Sequence, residues 1–242
     1  GQVAVAPATV RVQAVDEYGN ERTVGMDGFQ ATVPDLPDTQ IVEIDNGDGT
    51  YDIQFYATKA GMFQSQVLIR GVQLSGSPFD IQMRSGLMVP EKSEVIPSHV
   101  GTAGEQIAWM LTARDIFFNV RDAGNDDFKL ECSNQRDGGP GEFLDYGNGT
   151  YQGLCLLTRS GSYQVSLQGF NTNFSEYRHV ISSPFSLEIE PNVADPSSSG
   201  VYGSELSLAT AGDWATFYIF PRDRFLNPNT GSGGAKFEMV LK

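Results

Sequence analysis

The residues best suited to covalent chemistry are the two cysteines, Cys132 and Cys155. Cys132 follows Phe128 and Leu130 on one parity of an alternating stretch, and Cys155 lies on the parity of Tyr151 in another. Alternation of this kind marks half-buried strands, with both sulfurs facing the core. Two outcomes stay open: a disulfide closing a loop of about 24 residues, which contributes about 3 kcal/mol, or two buried thiols acting as small apolar side chains. A bridge favours an oxidising compartment, and free thiols favour the cytosol. Asn148-Gly-Thr150 and Asn173-Phe-Ser175 are N-glycosylation sequons on expected turns or loops, which suits an extracellular chain. A chain this rich in Asn, Ser and Thr also forms such triplets by accident.

The Asp-rich stretch Asp45-Asn-Gly-Asp-Gly-Thr-Tyr51 invites a calcium reading, but its spacing fails. Counted from Asp45, the third and fifth positions are Gly47 and Gly49, and the twelfth is Tyr56 where an EF-hand needs a bidentate Glu. A strand-connecting turn, with Gly supplying positive φ and Asp or Asn capping the backbone, is the expectation. His99 and His179 lack the spaced partners of a zinc site, and His179 is expected in a solvated loop. Asp126 and Asp127 are adjacent, so a strand points them to opposite faces. With no nucleophile elbow, phosphate loop or dinucleotide fingerprint, the expectation is a protein that is not an enzyme and takes no cofactor or metal. The net charge of −14 argues against nucleic acid and against an anionic membrane surface. No apolar run reaches the roughly 20 residues of a membrane helix.

The elements that carry these residues repeat. The turn at Asn46–Tyr51 has a second copy, Asn148-Gly-Thr-Tyr151, and each leads into an alternating strand. Asp16 and Asn20 recur as Asp115 and Asn119, and again as Asp223 and Asn227, with Tyr18, Phe117 and Phe225 between them. From that Asp to the next inward Phe (Phe29, Phe128, Phe237) the spacing is 13, 13 and 14 residues. Val10, Trp109 and Phe217 share one position, and Ser-Pro-Phe occurs at 77–79 and 183–185. Such self-similarity marks a repeat protein. Boundaries are expected near Ser85-Gly86 and Pro191, giving units 1–86, 87–190 and 191–242. The first is expected to lack its first strand, the second to carry a longer late loop over Gln168–Ile181, and the third to be partial. The chain starts without Met and stops at Lys242 within an expected strand, so it reads as a piece of a longer protein. About seven short strands per hundred residues, with turn signals between, indicate all-β antiparallel sandwiches.

Asp45-Asn-Gly-Asp-Gly-Thr-Tyr51, Gly61-x-Phe63 and Gly71-Val-Gln-Leu-Ser-Gly-Ser-Pro-Phe79 resemble the filamin-type immunoglobulin repeat. Unit 1 carries the motif closely, whereas unit 2 has Gly-Asn-Gly-Thr in the turn and Ser-Ser-Pro-Phe at the end. The resemblance implies tandem immunoglobulin-like sandwiches, strung in rods and used as a scaffold. It also implies that partner peptides add as a strand beside the third and fourth strands. Carried over, the groove lies between Gly28–Val33 and Gln40–Ile44 in unit 1, and between Phe128–Ser133 and Glu142–Tyr146 in unit 2. Its expected residues are Phe29, Ala31, Val33, Ile41, Glu43, Phe128, Leu130 and Phe143. Unpaired backbone groups on such an edge accept a new strand, and alternate side chains select it. The first expectation is a cytoskeletal scaffold in the cytoplasm whose partners are extended protein segments, neighbouring repeats and cytoskeletal proteins. The alternative is a cell-surface adhesion ectodomain.

Overall fold

The computed structural model describes residues 7–229 and 236–240. Unit 1 contains β1 (Ala8–Gln13), β2 (Phe29–Thr32), β3 (Gln40–Asp45), β4 (Thr50–Tyr56), β5 (Gly61–Ile69), β6 (Val72–Gln73) and β7 (Phe79–Met83). One sheet runs β1-β4-β3, and in the other β5 pairs with β2, β6 and β7, all antiparallel. Unit 2 contains β8 (Glu94–Val95), β9 (Val100–Thr102), β10 (Gln106–Thr112), β11 (Phe128–Ser133) and β12 (Gly138–Pro140). It continues with β13 (Glu142–Asp145), β14 (Thr150–Leu156), β15 (Gly161–Asn171), β16 (Glu176–His179) and β17 (Phe185–Glu190). Its sheets are β13-β14-β10-β8 and β12-β11-β15-β17-β9, with β16 on β15 and only β17–β9 parallel. Among the described residues unit 3 contributes one ladder, β18 (Gly200–Tyr202) against β19 (Tyr218–Phe220).

The sandwich follows from period-two alternation. In β4, Tyr51, Ile53 and Phe55 are buried while the residues between them are not; β14 does the same with Tyr151, Gly153 and Cys155. Facing residues of the second sheet close each core, Phe29, Val67 and Ile81 in unit 1 and Leu130, Val165 and Leu187 in unit 2. The two buried clusters are separate. Trp109 is buried, as its parity requires, and leans edge-on against Phe185.

Three local expectations change. Gln168–Ile181 is a hairpin and not a loop: β16 extends β15 with Gln168 opposite His179 and Asn171 opposite Glu176. His179 therefore sits on a strand, with its ring nitrogens near Gln168 and Ser183. Gly138–Pro140 pairs with Glu131–Ser133, so half of the β11 edge in unit 2 is covered. Phe237, expected to face inward, is 53% exposed, because the described part of unit 3 offers no second sheet to bury it.

Candidate functional site

The turn that identifies the repeat is built by its own side chains. The Asp45 carboxylate accepts the Gly47 N–H (2.8 Å) through Oδ1 and the Met26 N–H (2.8 Å) through Oδ2, tying the turn to the loop before β2. Asp145 does the same for Gly147 (2.7 Å) and Asn125 (2.7 Å). Gly49 has a φ of +87°, and a side chain there would meet the Arg22 carbonyl oxygen, so glycine is required twice over. A buried tyrosine anchors the same loop. Tyr51 Oη donates to Asp27 (3.1 Å), which also pairs with Arg22 (2.8 Å). Tyr151, Asp126 and Arg121 repeat this group, and burial together with the Asp126 carboxylate pushes the Tyr151 hydroxyl far above its usual pKa. Sequence reasoning missed this trio, although Arg and Asp recur at matching positions. Asp127 turns the other way, accepting from Tyr177 Oη (2.6 Å).

The recurring Asp and Asn form the turns expected of them and, in two of three copies, also a contact between units. Asp115 is buried and accepts the N–H groups of Phe117 (2.9 Å) and Asn119 (2.9 Å) through Oδ1. Its Oδ2 takes the Asn119 side-chain amide (2.8 Å) and the Gly86 N–H of the incoming linker (2.9 Å). Asn119 then reaches into unit 1, donating from Nδ2 to the Thr58 carbonyl (2.8 Å) and accepting the Ala60 N–H (2.9 Å). At the next junction Asn227 donates to the Thr158 carbonyl (2.8 Å) and accepts the Ser160 N–H (2.9 Å). Asp223, also buried, takes the Asn192 N–H (2.9 Å). Phe225 packs against the core of unit 2, so closely that a side chain on Gly104 would strike its ring. Units 2 and 3 are therefore each held by a turn of the unit before, the one between β4 and β5 for unit 2 and the one between β14 and β15 for unit 3. In unit 1 the same residues are exposed; Asn20 bonds only to Asp16, and Tyr18 is 82% exposed.

The cysteines meet across the unit 2 core. Cys132 on β11 and Cys155 on β14 belong to opposite sheets, with an S–S distance of 1.97 Å and Cα atoms 6.8 Å apart. Both are buried. Asn148 and Asn173 are exposed on turns.

The residues expected to form a peptide groove divide by burial. Phe29, Val33 and Leu130 point into the cores, because the alternation that shaped the expectation is what buries them. Ala31, Ile41, Phe128 and Phe143 are partly buried at the margin, and Glu43 is exposed. In unit 1, β2 and β3 are edge strands of different sheets.

This architecture defines a class, tandem immunoglobulin-like sandwiches of the filamin type. Residues 1–80 match the family model described as the filamin/ABP280 repeat, so unit 1 is a filamin-type repeat, and unit 2 repeats its turn and strand order. Over a longer span the chain is similar in fold to FdeC, an adhesin of Escherichia coli. The TM-score is 0.67 at 17% identity, covering 93% of this chain and 71% of that one. InvD of Yersinia pseudotuberculosis is also similar, with a TM-score of 0.55 at 16% identity, covering 92% of this chain and 67% of that one. At these identities the likeness is one of fold.

Proposed function

We propose that the chain is a non-catalytic segment of a cell-surface rod of filamin-type repeats that serves adhesion and presents edges to partner proteins. The observation that carries this reading is the Cys132–Cys155 pair, since a disulfide between sheets persists in oxidising surroundings and not in the cytosol. The exposed sequons at Asn148 and Asn173 support it, as does the shared fold with a bacterial adhesin. A cytoskeletal scaffold is the second reading; it rests on the filamin family match and lacks the support of the cysteine pair. Labelling intact producing cells with a membrane-impermeant amine reagent, then alkylating the recovered protein without reduction, separates the two. The surface reading expects labelled Lys59 and Lys129, both exposed, and cysteines that alkylate only after reduction. Unlabelled lysines with freely alkylated cysteines would remove it.

Partner docking is assigned to the unit 1 edge along β2 and β3, where backbone groups are free to extend a sheet. In unit 2, β12 already occupies part of the corresponding edge. Screening extended peptides against the chain should give binding that falls at least tenfold when proline is placed within Gln40–Ile44 of folded protein. Binding indifferent to those prolines would end the strand-addition account.

A further inference from the structure

The sequence contains two Asn-Gly pairs, Asn46-Gly47 and Asn148-Gly149, each in the turn that leads into β4 or β14. The pairing matters chemically because the backbone nitrogen after an asparagine can attack its side-chain carbonyl, and glycine puts no side chain in the way.

The two turns hold their asparagines differently. In unit 1 the Gly47 N–H donates to Asp45 Oδ1 (2.8 Å), and Asn46 Nδ2 donates to Thr50 Oγ1 (3.0 Å). Attack there breaks the first bond and pulls the side chain off the second. In unit 2 the pair sits two positions later, since Tyr146 stands where unit 1 has Asn46, and Asn148 where it has Asp48. The Gly149 N–H donates to no acceptor among the described residues, and neither does Asn148 Nδ2. Asn148 Oδ1 accepts the Thr150 N–H (3.1 Å), which folds the side chain forward over the Gly149 peptide and puts a donor on the oxygen where charge develops during attack. Asn148 is exposed, so water reaches its amide from outside even though Gly149 is packed on Arg121. The glycine itself is fixed by the fold. Gly149 has a φ of +79°, and a side chain there would meet the Arg121 carbonyl oxygen.

We propose that Asn148 is a site of spontaneous conversion to aspartate and isoaspartate, and that Asn46, in the matching turn, is held inert. The Gly149 nitrogen bonds to Asn148 Cγ, its proton leaves with Nδ2 as ammonia, and a cyclic imide results. Water then adds to one imide carbonyl and breaks its C–N bond; opening at Cγ gives aspartate, and opening at the main-chain carbonyl gives isoaspartate. The products differ in what they do to the fold. Unit 1 already carries Asp48 at this position, and its carboxylate accepts the Thr50 N–H (3.0 Å) as Asn148 accepts that of Thr150. Aspartate therefore leaves the turn intact. Isoaspartate routes the main chain through the side-chain carbon, lengthens it by a methylene, and displaces Gly149 and Thr150 from Arg121 and from the start of β14. The next residue is Tyr151, which anchors the loop before β11 through Asp126. A glycan on Asn148 would occupy the same nitrogen, so the two modifications exclude each other. The conversion needs neither a glycan nor a particular compartment, and it stands apart from the surface reading.

The test uses the full chain from a host that does not glycosylate, incubated at mildly alkaline pH in heavy-oxygen water. Mass spectrometry with fragmentation that separates isoaspartate from aspartate then maps the label, beside a second sample that is reduced and denatured first. Label should enter residue 148 of the folded chain at least tenfold faster than residue 46, and the two rates should converge in the denatured chain. Calorimetry should show unit 2 of Asn148→Asp melting as in the wild type, and unit 2 of the isoaspartate fraction melting lower. Equal rates at the two positions of the folded chain, faster conversion at Asn46, or no label at residue 148 while the denatured chain converts would overturn the proposal. A tenfold difference that persists on denaturation would do the same, because the turns would then not be its cause. Asn148→Asp melting as low as the isoaspartate fraction would overturn the distinction drawn between the products.

Discussion

Replacing both cysteines with alanine, Cys132→Ala together with Cys155→Ala, should destabilise unit 2 by about 3 kcal/mol and leave unit 1 unchanged. The reason is the length of chain that the bond closes. Cys132 and Cys155 are separated by 23 in sequence, and a cross-link over a loop of that size restricts the unfolded ensemble by about 3 kcal/mol in the chain-entropy account. Alanine is the appropriate replacement because both sites are buried, and serine would add hydroxyls with no assured partner. For a domain of about 100 residues, each kcal/mol moves the midpoint by roughly 4–8 °C, so the unit 2 transition should fall by about 12–24 °C. The separate cores make the comparison internal to one molecule, since the transition of unit 1 serves as the reference. Calorimetry of the wild-type and doubly substituted chains reads both. A unit 2 transition that does not move would mean that the bridge contributes nothing, and both transitions falling together would mean that the units do not unfold separately.

Much of the fold was legible because its signal is carried by side chains at fixed spacing. Tyr51, Ile53 and Phe55 declare a half-buried strand by parity alone, and the copy at Tyr151 and Cys155 placed the two cysteines in facing sheets. Other features left weaker traces. Gly138-Gly-Pro140 has the composition of a loop, yet it pairs with β11, because the neighbouring edge offers backbone groups to any chain that passes close by. Gln168–Ile181 mixes polar residues with scattered Phe170, Phe174 and Tyr177 and keeps no sustained alternation, so its pattern did not distinguish a protruding hairpin from a loop. The least legible feature was the junction. Asp115 and Asn119 were visible as a repeated turn, but the partners of Asn119 across the boundary are the Thr58 carbonyl and the Ala60 N–H, and that of Asp115 is the Gly86 N–H, main-chain groups that every sequence has. Serine in Ser-Pro-Phe is similar: Ser77 and Ser183 accept the N–H groups of Val67 (2.9 Å) and Leu167 (2.7 Å), a role that the motif marks by recurrence without explaining it.

The junction between units 2 and 3 should also respond to acid, in a way that the Asp223 carboxylate determines. Burial raises the pKa of Asp223, but the hydrogen bonds from Asn227, Asn192 and Phe225 outweigh it and hold the carboxyl below its ordinary value. A depressed folded-state pKa contributes stability that is complete above the unfolded value, near pH 4, and is lost as the pH falls through the lower folded value. The hold of unit 3 on unit 2 should therefore weaken only in strong acid.

The proposed rod depends on its units keeping a fixed relation, and Asn119 is the residue that reaches across the first boundary. Asn119→Ala deletes one hydrogen bond to Thr58 and one from Ala60, each worth about 1 kcal/mol net, and leaves Asp115 without its amide partner. Coupling between units 1 and 2 should drop by about 2–3 kcal/mol while both cores stay folded. Residual dipolar couplings measured on the two units in one aligned sample test this directly. In the wild type, units 1 and 2 should share one alignment tensor of equal magnitude. In Asn119→Ala the tensor magnitudes should diverge, and in Asn227→Ala those of units 1 and 2 should remain matched. Unmatched tensors in the wild type, or matched tensors in Asn119→Ala, would contradict a rod held together by this repeated contact.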